Sequence, residues 1–194
     1  MKNILKKIGI VTLISLPIIV IVAFLASPFK THKGFDYPLI KQTIIIDASV
    51  EEVFSYLGNS DNARDWSVFV DHIRAINGDE VLDGEVGSIR RCFVRANEKG
   101  ILWDERITEV VLGKKRQLTV DNLENFPITA QNLATEQLYK RVNENQCELS
   151  FTLFYKNAEP TWGEYFKTTF AAYLIKSIFK KNMKNIKKIV ESTK

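Results

Sequence analysis

The last stretch of this chain limits what it can fold into more than any other. No proline occurs after Pro160 and no glycine after Gly163, so nothing interrupts a helix from about 162 to 190. Thr161 and Glu164 have the Ser/Thr-x-x-Glu spacing of a capping box, which marks the start. Trp162, Phe166, Phe170, Tyr173, Leu174 and Ile178 recur at three- and four-residue steps and share one face. A second apolar line runs through Tyr165, Ile175 and Phe179. From Lys176 the stretch turns basic, with Met183, Ile186, Ile189 and Val190 as its remaining apolar positions. The pattern predicts that 162–179 closes over an apolar surface, with the aromatics inward, and that the lysines from Lys180 onward stand exposed.

The preceding chain supplies that surface. Ile40, Gln42, Ile44 and Ile46 alternate with Lys41 and Thr43, as in a half-buried strand. Ser49 is placed to cap a short helix with Glu51 and Glu52 in its first turn, and a second short helix ends near Trp66. Strand-like runs follow at 70–76, 88–96, 101–112, 117–121, 128–142 and 146–155, divided by turns such as Asn77-Gly78-Asp79 and Asn143-Glu144-Asn145. No helix separates them, which implies an antiparallel meander. The expected class is α+β: a curved antiparallel sheet of about seven strands, two short helices after the first strand, and one long closing helix. Cys147, Leu149, Phe151, Leu153 and Tyr155 form an apolar row on the last strand where that helix can sit.

Residues 8–27 are an uncharged run of twenty, preceded by Lys2, Lys6 and Lys7. At about 1.5 Å per residue this matches a bilayer core of about 30 Å. Large residues at −3 of the available cut sites (Phe24-Leu25-Ala26, Leu25-Ala26-Ser27) disfavour a cleaved signal. The reading is a transmembrane anchor over 1–27, a linker over 28–38 and one folded domain over 39–194. The lysine count on either side of the span tilts the domain toward the extracytoplasmic side of a single-pass membrane protein. Of the net charge of +4, residues 1–27 carry +3 and 161–194 carry +6, which leaves −5 for the body. An acidic body argues against a nucleic-acid-binding domain.

Cys92 and Cys147 stand far apart, without metal-ligand spacing, and read as small buried residues. His72 lies in a strand and His32 in the linker, so no metal site is expected, and no glycine motif calls for a nucleotide cofactor. The position with chemical interest is Glu105. Ile101, Trp103, Glu105 and Ile107 share one face of their strand, and if that face is the inner one Glu105 points inward. A carboxylate there needs a partner or a proton, and Arg91, in a row with Ile89 and Phe93, is the partner the pattern suggests.

The run Ile44-Ile45-Ile46-Asp47-Ala48-Ser49 with Glu51-Glu52-Val53-Phe54, Trp66 a dozen residues on, Gly84-Glu85-Val86-Gly87, and Trp103-Asp104-Glu105-Arg106-Ile107-Thr108-Glu109 together resemble the START/SRPBCC superfamily. They are most similar to its polyketide cyclase/dehydrase-like branch, over about 39–191. The resemblance implies the helix-grip fold, a sheet wrapped round the long helix with a cavity between them for an apolar ligand. Trp66, Phe93, Trp103, Glu105, Phe151, Phe166 and Phe170 are then the candidate lining. Three functions are compatible: membrane-anchored binding of a lipid-like or polycyclic molecule, cyclase/dehydrase-like catalysis with Glu105 as acid or base, or an interaction domain whose cavity is filled by its own side chains. The first is favoured, because a fold of this kind does not by itself imply a reaction.

Overall fold

The computed structural model describes residues 17–125, 132–156 and 159–193. Residues 17–25 form a helix, α1. The strands are β1 (Lys30–Thr31), β2 (Pro38–Ile46), β3 (His72–Ala75), β4 (Ile89–Phe93), β5 (Leu102–Val111), β6 (Lys115–Glu124), β7 (Leu133–Asn143) and β8 (Gln146–Tyr155). Between β2 and β3 lie α2 (Val50–Gly58), a 3-10 turn (Ser60–Asn62) and α3 (Ala63–Trp66), and α4 (Trp162–Ser192) closes the chain. The strands form one antiparallel sheet in the order β1-β2-β8-β7-β6-β5-β4-β3.

Local chemistry explains most of these boundaries. Ser49 and Glu52 form the capping box of α2, and Thr161 and Glu164 form that of α4. Glu164 Oε2 accepts from the Thr161 N–H and hydroxyl, both at 2.8 Å, and Thr161 Oγ1 accepts from the Glu164 N–H at 3.3 Å. Thr161→Ala is expected to cost about 1 kcal/mol in urea denaturation, the usual worth of an N-cap. On β8, Cys147, Leu149, Phe151 and Leu153 are buried on the face toward α4. They lie opposite Ile46, Ile44, Gln42 and Ile40 of β2.

The sheet has one strand more than expected because residues 30–31 pair with β2. The stretch read as a linker thus contributes to the fold. Phe29 is 3% exposed and packs on Tyr155 and Tyr165 with ring centroids 6.1 and 5.3 Å away.

The larger correction concerns α4. Its inner face carries Thr168, Ala172, Ile175 and Phe179, followed by Met183, Ile186 and Val190, which are buried among Ile46, Val53 and Leu149. The basic half therefore grips the sheet rather than projecting beyond it; Lys180, Lys181, Lys184 and Lys188 are exposed, while Lys187 Nζ donates to the Ile45 carbonyl of β2 at 3.0 Å. Trp162, Phe166, Tyr173 and Leu174 are exposed; Phe166 stacks with Phe24 of α1, and Phe170 meets the same ring at a tilt. Small Thr168, Thr169 and Ala172 let the helix approach closely, and the hydroxyls of Tyr155 and Thr168 meet at 2.5 Å. The second apolar line faces in, and the first faces out except at Ile178, which lines the space between helix and sheet.

The predicted span 8–27 falls partly outside the described residues, which begin at residue 17. Among the described residues no helix is long and apolar enough to cross a membrane.

Candidate functional site

Between the sheet and α4 lies a cavity of about 170 Å³. That is more than ten times the roughly 10–15 Å³ a single water needs. Its walls are mostly apolar. Trp66 and Phe69 come from α3 and the loop after it, Trp103 from β5, Phe151 from β8, and Ile175, Ile178 and Phe179 from α4. The rings brace one another: Phe151 meets Trp66 at 6.2 Å and Phe179 at 5.7 Å, both edge-on, and Phe69 stacks on Trp103 at 5.7 Å. Two asparagines of α4 hold the α3 end in place. Asn182 Oδ1 accepts from the Val68 N–H at 2.8 Å, and Asn185 Nδ2 donates to the Trp66 carbonyl at 3.0 Å.

One part of the wall is polar and charged. Arg90 and Glu105 sit directly opposite each other on β4 and β5, and both line the cavity. Arg90 Nε donates to Glu105 Oε2 at 3.0 Å, and Trp103 Nε1 donates to Glu105 Oε1 at 3.1 Å. The side chains are only 6% and 16% exposed, so this is an ion pair inside the fold. Burial pulls the Arg90 guanidinium down most strongly, but the neighbouring groups together, Glu105 first among them, outweigh it and hold Arg90 above its ordinary value. Arg90 Nη1 also donates to Ser60 Oγ at 3.1 Å, and Ser60 Oγ donates to Asp83 Oδ1 at 2.8 Å. This relay depends on Gly84, whose φ is +87° and where a Cβ would stand 2.8 Å from the Gly58 carbonyl oxygen. Any side chain there would push Asp83 off Ser60. Next to the pair, burial and then the Glu105 charge push the Cys92 thiol well above its ordinary range, so it stays a neutral thiol.

A second polar feature lies on β7. Gln137 is 8% exposed and lines the cavity. Its Oε1 accepts from the Tyr139 hydroxyl at 2.6 Å and from Arg116 Nη1 at 3.3 Å. Arginine can only donate, so the oxygen must face Arg116 and the amide NH₂ must turn away from it. That NH₂ has no partner among the described residues. Arg116 itself is buried over the Phe54 ring at 4.4 Å, and burial lowers its pKa. The Gln137 NH₂ is thus a donor available at the cavity wall, and among the lining residues Trp66 Nε1 is a buried donor without a partner.

Of the residues expected from the sequence, Trp66, Trp103, Glu105 and Phe151 line this cavity. Phe93 does not. It lies on the opposite side of the sheet, stacked on His72 at 4.9 Å beneath the Arg74 guanidinium. Phe166 and Phe170 are also absent from the lining, on the outer side of α4. Arg91, the expected partner of Glu105, instead pairs with Asp104 at 2.7 Å on the far face. The register explains both corrections: β4 presents Arg90 and Cys92 inward, and therefore Ile89, Arg91 and Phe93 outward. Arg90, Gln137, Phe69 and Phe179 were missed, and only the strand register could have pointed to the first of them. Among the described residues no group of His, Cys, Asp and Glu is arranged to hold a metal ion.

A family model described as polyketide cyclase/dehydrase and lipid transport matches residues 38–191. No curated protein sequence matches. Solved structures share the fold at low identity. Norcoclaurine synthase from Thalictrum flavum is 14% identical with a TM-score of 0.60, over 80% of this chain and 94% of that one. The di-domain ARO/CYC protein BexL of the BE-7585A biosynthetic pathway is 12% identical with a TM-score of 0.61, over 79% of this chain and 46% of that one. A protein from Bacillus thuringiensis is 15% identical with a TM-score of 0.55, over 78% of this chain and 98% of that one.

Proposed function

The chain belongs to the polyketide cyclase/dehydrase and lipid transport family, and from that premise we propose that it binds a hydrophobic small molecule, lipid-like or polycyclic, between its sheet and α4. The carrying observation is the cavity of about 170 Å³, apolar over most of its wall, with the Gln137 amide as a donor in it. An apolar pocket with a few placed polar groups is the usual form of a small-molecule site. The ligand this wall suits has an aromatic or aliphatic body and one acceptor oxygen, a carbonyl, hydroxyl or carboxylate, to meet the Gln137 NH₂. A structural neighbour offers a parallel, since norcoclaurine synthase was solved with dopamine and hydroxybenzaldehyde. Membrane attachment through residues 8–27, with the domain on the extracytoplasmic side, belongs to the same proposal and would supply such a ligand from the adjacent bilayer.

Binding has more support than acid–base catalysis. Arg90 and Trp103 engage both Glu105 oxygens, which ties the carboxylate into the wall as a structural partner of Arg90. The test is native mass spectrometry of delipidated protein after exposure to a membrane extract. A retained apolar compound carrying an acceptor oxygen is expected, and a protein that retains none overturns the reading. Gln137→Leu is expected to weaken binding of that compound by roughly 2–10-fold, the net worth of one hydrogen bond, and to leave hydrocarbon probes unaffected.

A further inference from the structure

The outward face of α4 changes character along its length. Trp162 is 79% and Leu174 59% exposed, and Phe166 and Tyr173 lie between them on the same side. Positions 181, 184 and 188 continue that side at helical spacing, and there Lys181, Lys184 and Lys188 are exposed. An aromatic segment about 18 Å long thus runs into a lysine segment on one face of one helix. Exposed apolar surface rimmed by charge marks an interaction site.

α1 extends the apolar part. Ile18, Ile19, Ile21, Val22 and Leu25 are exposed, Leu25 by 78%. The end of α1 is seated on the patch: the Phe24 ring lies 6.0 Å from Phe166, and the Ala23 carbonyl accepts from the Tyr173 hydroxyl at 2.6 Å. Ser27 Oγ donates to the Thr169 carbonyl at 2.6 Å in a buried contact. Upstream, residues 8–16 carry no charge and follow Lys2, Lys6 and Lys7. The patch is therefore continuous with the segment proposed to enter the bilayer.

We infer that the occupant of this face is the bilayer itself: Trp162, Phe166, Tyr173 and Leu174 sit in the lipid–water interface, and Lys181, Lys184 and Lys188 lie over anionic headgroups. Tryptophan and tyrosine favour that interface, and lysines beside it are drawn to anionic lipid. The inference rests on the anchor proposed above but adds an orientation. α4 lies along the membrane surface, and the domain rests on it.

The experiment reconstitutes the full chain in phosphatidylcholine/phosphatidylglycerol vesicles whose acyl chains are brominated near the headgroup, and reads tryptophan quenching. Trp66 and Trp103 line the interior cavity, so Trp162 should carry the quenching. Trp162→Phe, a change at an exposed site, is expected to reduce it at least about threefold. Equal quenching in the two chains overturns the inference. So does a Leu174→Cys chain that is captured as a disulfide-linked dimer while Trp162 stays unquenched, which assigns the face to a second copy. Alkaline carbonate separates the two levels. Extraction of the chain overturns the anchor and the inference with it, whereas a retained chain with unquenched Trp162 overturns the docked face alone.

Discussion

Replacing Arg90 with methionine is expected to lower the unfolding free energy by about 3–5 kcal/mol, the usual result of removing one partner of a buried ion pair. The substitution leaves the Glu105 carboxylate in the cavity wall with Trp103 Nε1 and the Cys92 thiol as its remaining donors, and strips Ser60 Oγ of its guanidinium. The double variant Arg90→Met with Glu105→Met is expected to regain most of that loss, because two apolar chains of similar size replace two charges that were costly to desolvate. Urea denaturation of the three chains checks this. A loss below about 1 kcal/mol in the single variant would show that cavity water screens the pair as it would a surface pair.

The second large effect separates the two faces of α4. Ile186 is fully buried, against the core that holds Ile46, Val53 and Leu149. Ile186→Ala is expected to cost about 2–5 kcal/mol, the transfer term plus the cavity left behind. Phe166→Ala removes a larger side chain yet is expected to cost less than Ile186→Ala, because Phe166 is already 37% exposed and packs only against Trp162, Phe170 and Phe24 among the described rings. A melt in which Phe166→Ala is the more damaging change would mean that the aromatic face, and not the weakly apolar one, holds the helix in place.

The sequence made the local signals legible and the long-range ones only in part. Both capping boxes stand where Ser49 and Thr161 predict them, and the inward rows of β5 and β8 follow from simple alternation. The phase of β4 was not legible, for a physical reason. The row Ile89, Arg91, Phe93 is more apolar than the row Arg90, Cys92, so hydrophobicity alone chooses the wrong face. The deciding quantity is the parity of the turn between β4 and β5, since one residue more or less sends every side chain of a strand to the other side. Glu98 takes φ +57° and Gly100 φ +101°, and the turn they shape sets Glu105 opposite Arg90 and Asp104 opposite Arg91. The α4 error has a different origin. Two apolar stripes share that helix, and periodicity finds both without ranking them. The wider stripe lost the inner position because α1, seated by Phe24 and Ser27, covers part of it, and no spacing within 162–190 records that contact.

The join between α1 and β1 bears on how far the cavity can travel. A free connector of the eleven residues 28–38 would have a root-mean-square reach of roughly 18 Å and let the domain swing in all directions. With Phe29 buried in the core and Lys30 and Thr31 hydrogen-bonded into the sheet, that reach collapses. On the membrane proposed here, the cavity keeps a fixed height and heading above the lipid.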